Sequence, residues 1–125
     1  MEMKISPLRR KQSIFLKMEA QLVLKATALG TPIIRLEWMR SIERQGELFR
    51  TGKSKTMDSK HLTGLASDFA FLADIEDDGK INWHPDKYKE LGKYWESLGG
   101  TWGGRFGDNP KTETIEGWDA GHFEL

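Results

Sequence analysis

Two short segments far apart in the chain carry histidines and carboxylates at spacings that could do chemistry. The first is Ser59-Lys-His61-Leu-Thr-Gly64-Leu-Ala66-Ser-Asp68, and the second is Asp119-Ala-Gly-His122-Phe-Glu-Leu125. Neutral imidazole and carboxylate are good zinc ligands, and three protein ligands leave a fourth position for water, the pattern of a catalytic site. His61, Asp68 and His122 make such a triad. Gly64 lets the chain double back to bring His61 near Asp68. In the second segment the glycine allows a tight approach that sets Asp119 beside the metal without ligating it. A carboxylate there can take a proton from the attacking water and pass it to a leaving amine. The chain has no cysteine, so any metal must sit on histidine nitrogens and carboxylate oxygens. The same residues admit another reading, in which His61 caps a loop, His122 packs near the C-terminus and the acids are surface groups.

These segments need elements to hold them. Ser6-Pro7 opens a helix, since serine is a good N-cap and proline suits the first helical position. Ile14, Phe15, Met18, Leu22, Ala26 and Leu29 recur at helical spacing and predict its buried face, before Gly30 and Pro32 stop it. Ile33 to Trp38 reads as a strand, followed by a helical stretch to about Arg50. Leu65 to Ile75 reads as another strand, and Asp77-Asp78-Gly79 as the turn of a hairpin to Lys80–Trp83. Pro85 begins a helix through Leu98, and a turn-rich, glycine-rich stretch from Gly99 to Gly121 holds short strands around Trp102 and Phe123. The expectation is a single compact α+β domain over residues 1–125, with N-terminal helices packed on a small antiparallel sheet that carries the metal site.

The formal net charge is zero, but residues 1–60 carry 13 Lys+Arg against 6 Asp+Glu and residues 61–125 carry 6 against 13. A polarised surface or two halves that neutralise each other on folding would both give this pattern. Basic residues on the first helix lack interleaved aromatics, so a solvated face explains them better than nucleic-acid binding. No apolar run approaches the roughly 20 residues needed to span a bilayer. No leader-like segment precedes the first helix, which predicts a cytoplasmic protein until something releases it.

The wording of the motifs resembles the M15 family of zinc peptidases, which comprises D-alanyl-D-alanine carboxypeptidases and dipeptidases and the phage-type L-alanyl-D-glutamate endopeptidases. The likeness lies in Ser59-x-His61-x-x-Gly64-x-Ala66-x-Asp68 and Asp119-x-x-His122 with the terminal Phe-Glu-Leu. It extends to Arg40-Ser41, Gln45 and Gly52-Lys53-Ser54 upstream, and to Trp102-Gly103-Gly104-x-Phe106. The resemblance implies that His61, Asp68 and His122 hold zinc and that Asp119 is the general base and acid. It implies that Arg40 pairs with substrate and stabilises the transition state, although a surface ion pair is the alternative. Ser59 would orient a ligand or a substrate group, or merely stabilise a turn, and Trp102 would line the substrate side. Aspartate at position 119, where many of the carboxypeptidases have glutamate, favours the endopeptidase branch. Glu37-Trp38-Met39 replaces the small glycine-containing sequence common before the arginine and alters the pocket.

The reading is therefore a zinc-dependent peptidoglycan peptidase of the phage or prophage lysis type, cutting the L-alanyl-D-glutamate bond of the stem peptide. A monomer released onto the wall by a holin-like partner is expected, with no nucleic acid and no stable membrane insertion. The rivals are a D,D- or L,D-carboxypeptidase trimming the stem terminus, and a non-catalytic metal- or wall-binding module. Asp74-x-Glu76-x-Asp78-Gly79 also resembles the start of a calcium loop, so a weak calcium site is an expectation beside a plain acidic hairpin tip. The twelfth position of that loop is Pro85 rather than a bidentate glutamate. His84 is read as a surface residue at a helix start.

Overall fold

The computed structural model describes residues 4–54, 57–106 and 119–125. Helix α1, Pro7–Ala28, starts where expected: the Ser6 hydroxyl accepts from the Arg9 amide at 3.1 Å, and Pro7 occupies the first turn. Phe15, Met18, Leu22 and Ala26 form its buried stripe, while Ile14 and Leu29, expected inside, are exposed. The buried place is taken instead by Glu19, whose carboxylate accepts from Arg35 at 2.8 Å and from the Ser67 hydroxyl at 2.7 Å. A carboxylate can lie inside because these donors replace water.

Strand β1, Ile33–Glu37, leads into helix α2, Ile42–Arg50, which is capped by Ser41. Strand β2, Ala66–Phe71, is shorter than predicted: the chain leaves the sheet at Leu72–Asp74 in a 3-10 turn. The hairpin survives as one isolated bridge between Ile75 and Ile81. Beyond the turn Pro85–Tyr88 comes helix α3, Lys89–Ser97, then β3, Thr101–Trp102, and β4, His122–Glu124. Much of the glycine-rich stretch predicted to be turns, 107–118, lies outside the described residues. The strands form one antiparallel sheet in the order β1-β2-β4-β3.

Alternation along the strands divides the sheet into two faces. Ser67, Phe69, Phe71 and Phe123 turn toward α1 and α3, where Phe15, Trp95 and Phe123 pack edge to face, with centroids 5.6 and 5.7 Å apart. The opposite face receives Glu37, Asp68, His122 and Glu124. Register does the rest, because Asp68 pairs directly with His122 on one side and with Glu37 on the other. The helices thus pack the sheet from behind and leave its polar face to the site.

Candidate metal centre

The sheet contributes two of the clustered side chains and a loop contributes the third. His61 lies in the 3-10 turn Lys60–Thr63, which the Ser59 hydroxyl caps by accepting from the His61 amide at 3.2 Å. The turn ends at Gly64, with φ +68°, a left-handed conformation that costs other residues more. A Cβ there would also press on Trp38, Met39 and Gln12 at 3.1 Å. The segment before Arg40 forms the seat of this turn. The Trp38 indole donates to the Gly64 carbonyl at 2.9 Å, and the Arg40 amide donates to the His61 carbonyl at 2.9 Å. Replacing small residues with Trp38 therefore supports His61 rather than merely reshaping a pocket.

His61, Asp68 and His122 come together, each offering one ligand atom within 4.8 Å of the others. The His61 Nδ1 is 2.6 Å from the Trp38 carbonyl, which can only accept, so the proton sits there and Nε2 presents its lone pair. That Nε2 is buried without a hydrogen-bond partner, 3.2 Å from Asp68 Oδ2 but not aligned with it. A buried nitrogen left open toward a carboxylate is what a cation would complete. His122 mirrors this arrangement: Nε2 lies 2.8 Å from Glu124 and Nδ1 lies 3.0 Å from Asp68. Each ring thus has one nitrogen tied by an orienting acceptor and the other aimed at the cluster, the usual supporting arrangement of metal-binding histidines.

Burial and close opposite charges shift the titration of these groups. Burial works to raise the Asp68 pKa, but contacts with the His122 and His61 rings hold it well below the usual carboxylate range. Burial works to lower that of His122, and the Asp68 and Glu124 carboxylates outweigh it, raising the pKa to about 9. Asp119 stays outside the triad, with Oδ2 3.9 Å from His122 Nδ1. Desolvation, helped by the charge on Asp68, pushes its carboxyl up to about 6. A carboxylate tuned toward neutrality beside the cluster suits proton transfer.

The Arg40 guanidinium reaches the same cleft but is largely buried and held in place. It donates to both Glu37 oxygens at 2.8 Å and to the Gln45 amide oxygen at 2.7 Å, and Nη2 stands 3.9 Å from Asp68. Two predictions fail here. Trp102 cannot line the substrate side, because its indole is fully buried and donates to the Ala120 carbonyl at 2.7 Å, anchoring the backbone between Asp119 and His122. The calcium expectation is not supported either: Asp74 turns inward, where Lys87 donates to Oδ1 at 3.0 Å and His84 Nδ1 stands 3.5 Å from Oδ2. Glu76 bonds Asn82, and Asp78 caps the Lys80 amide. His84, half exposed, precedes the turn Pro85–Tyr88 as expected. Sequence reasoning gave Glu37 and Glu124 no role. For Glu124 a signal existed, since it lies two residues beyond His122 on a strand and so shares its face.

Known proteins share the sequence and the fold. Residues 52–125 match the family model Peptidase M15, described as D-alanyl-D-alanine carboxypeptidase. The chain is 34% identical to the peptidoglycan L-alanyl-D-glutamate endopeptidase CwlK of Bacillus subtilis (strain 168), covering 74% of this chain and 67% of CwlK. Its structure is similar to that of the Serratia marcescens L-Ala D-Glu endopeptidase ChiX, with a TM-score of 0.57 and 26% identity over 94% of this chain and 82% of ChiX. The zinc complex of a variant of the vancomycin-resistance D,D-pentapeptidase VanY shares the fold at a TM-score of 0.57 and 19% identity, over 89% of this chain and 70% of VanY. With the family model covering more than half its length, the chain belongs to the M15 family of zinc peptidases.

Proposed function

We propose that this protein hydrolyses the L-alanyl-D-glutamate bond of peptidoglycan stem peptides, with zinc held by His61 Nε2, His122 Nδ1 and the Asp68 carboxylate. The open, buried His61 nitrogen facing Asp68 is the observation that carries the metal assignment. The likeness to CwlK and ChiX supports the choice of bond. Bound zinc supplies Lewis-acid chemistry, acidifying water and polarising a carbonyl. The chain's own residues do the rest. Asp119 accepts the proton of the attacking water as the new C–O bond forms. It returns that proton to the nitrogen as the C–N bond breaks, so the amine leaves neutral. Arg40 lends positive charge to the cleft, and Glu37 and Gln45 hold the guanidinium so that it need not reorganise during the reaction. Ser59 acts through the turn that carries His61.

The description of the matching family favours a second reading, removal of the terminal D-alanine. Mass analysis of digested peptidoglycan separates the two. New L-alanine C-termini and D-glutamate N-termini are expected; release of free D-alanine without them would replace the endopeptidase reading with the carboxypeptidase one. A lysis setting with a holin-like release partner belongs to the same proposal and rests on the sequence motifs. It predicts that cells expressing the protein lyse promptly only when their membrane is also permeabilised.

A further inference from the structure

The cleft around Asp68 and Asp119 has two arms of opposite chemistry, and they share Glu37, Asp68 and Asp119 as their common border. One arm is basic. Beyond the shared border, Arg40, Arg44, Lys53 and Lys60 line it against two carboxylates, Asp58 and Glu124. Among the described residues, the other arm has no cation. Its charged lining consists of those three border carboxylates, and its walls are Leu36, Trp83, Pro85 and the Ala120–Gly121 backbone.

Trp83 is the dominant surface there. The residue is 48% exposed, and its ring packs on Gly121 with the Tyr88 ring 6.0 Å away. A Cβ at Gly121 would meet the Trp83 ring at 2.9 Å and the Phe69 carbonyl at 2.6 Å, so glycine lets the indole lie against the backbone leading into His122. An exposed, rigid aromatic face next to reacting groups offers a stacking surface at little cost in conformational entropy.

On the endopeptidase reading above, the scissile bond separates two unlike halves. The amine half begins with a glutamate that carries a free carboxylate, and the acyl half is an alanine linked through a lactyl group to an amino sugar. We infer that the substrate lies in one direction only, with the carboxylate-bearing half in the basic arm and the sugar-bearing half stacked on Trp83. Charge complementarity sets the direction. The three shared carboxylates border both arms, so the difference lies in the four cations, which line one arm alone and attract the glutamate there.

The test compares one L-alanyl-D-isoglutamyl peptide with and without its N-acetylmuramoyl group. It measures kcat/KM for the zinc-loaded protein and, separately, equilibrium affinity for the Asp119→Asn protein by calorimetry. Trp83→Ala should weaken the sugar-bearing peptide roughly tenfold more than the bare one, mainly in KM and in affinity, with Trp83→Phe recovering most of the difference. Lys53→Ala combined with Lys60→Ala should instead erase the preference for the free α-carboxylate over its amide. Equal losses on both peptides, no loss, or a sugar-selective loss in the lysine variant would overturn the inference. Cleavage of neither peptide by the unaltered protein would sink the endopeptidase reading, and the affinity measurements would still decide whether Trp83 holds the sugar.

Discussion

Asp119 and His122 stand 3.9 Å apart, and their environments move them in useful directions. Desolvation lifts the Asp119 carboxyl to about 6, close to where a group that takes and returns a proton works best. Asp119→Asn keeps the shape and removes the base. It should cut kcat by roughly 10²–10⁴-fold while leaving zinc affinity nearly unchanged, as read by steady-state kinetics beside a metal titration. A binding module would keep its binding and lose nothing. His122 makes a second prediction. With its pKa raised to about 9 from an ordinary 6.5, the metal-free ring is protonated at pH 7, and a ligand must be neutral. Zinc binding at pH 7 should therefore expel about one proton, measurable by calorimetry in buffers of different ionisation enthalpy, and affinity should rise with pH toward 9. The metal-free fold shows the matching sign. Stability contributed by the His122 pairs is fully present below about pH 6.5 and is lost as pH rises through 9. At this scale the cluster was legible, because His61, Asp68 and His122 advertise their chemistry and come together, with Asp119 beside them. The partners that aim them were not: a backbone carbonyl such as that of Trp38 carries no sequence signal, and Trp102 reads alike whether it faces substrate or core.

Single elements do specific jobs in presenting these groups. The pairing of β2 with β4 sets Asp68 opposite His122, while the turn Lys60–Thr63 swings His61 over the same face. That turn depends on Gly64. Gly64→Ala forces a side chain into a left-handed conformation and against Trp38 and Met39, at a cost of about 1–2 kcal/mol. The sheet and its helices do not depend on Gly64, so far-ultraviolet circular dichroism should be nearly unchanged while zinc affinity falls. Equal affinity would show that the turn does not set the position of His61. Helix α1 was readable from Ser6-Pro7 and its apolar spacing, as was α2 to Arg50. The burial of Glu19 was not readable from local pattern, since its donors Arg35 and Ser67 arrive from β1 and β2. The early end of β2 escaped for a similar reason: Leu72 and Ala73 continue an apolar run, and the Leu72 amide still bonds the Pro32 carbonyl at 2.9 Å, but the proline opposite has no amide to return and the ladder stops.

Across the whole molecule, the helices close one face of the sheet with aromatic packing and leave the other for a site made largely of charge. The uneven charge of the two halves has a structural counterpart here. Arg40, Arg44, Lys53 and Lys60 from the first half face Asp68, Asp119 and Glu124 from the second across one cleft. Such a site holds several carboxylates together and should relax when a cation binds. Zinc at 100 times its dissociation constant should stabilise the fold by roughly 2.7 kcal/mol, raising the thermal midpoint by several degrees, and a chelator should reverse the shift. The α+β class and the His61, Asp68 and His122 cluster were visible in sequence; the polarity of the cleft was not, because Trp83 and Lys53 reach its two arms only through the fold. The proposed chemistry depends on where the metal lies. Anomalous diffraction at the zinc edge from zinc-loaded crystals tests it directly. A peak about 2.0–2.2 Å from His61 Nε2, His122 Nδ1 and an Asp68 oxygen is predicted. A peak at Asp74 and His84, or none between the three ligands, would contradict it.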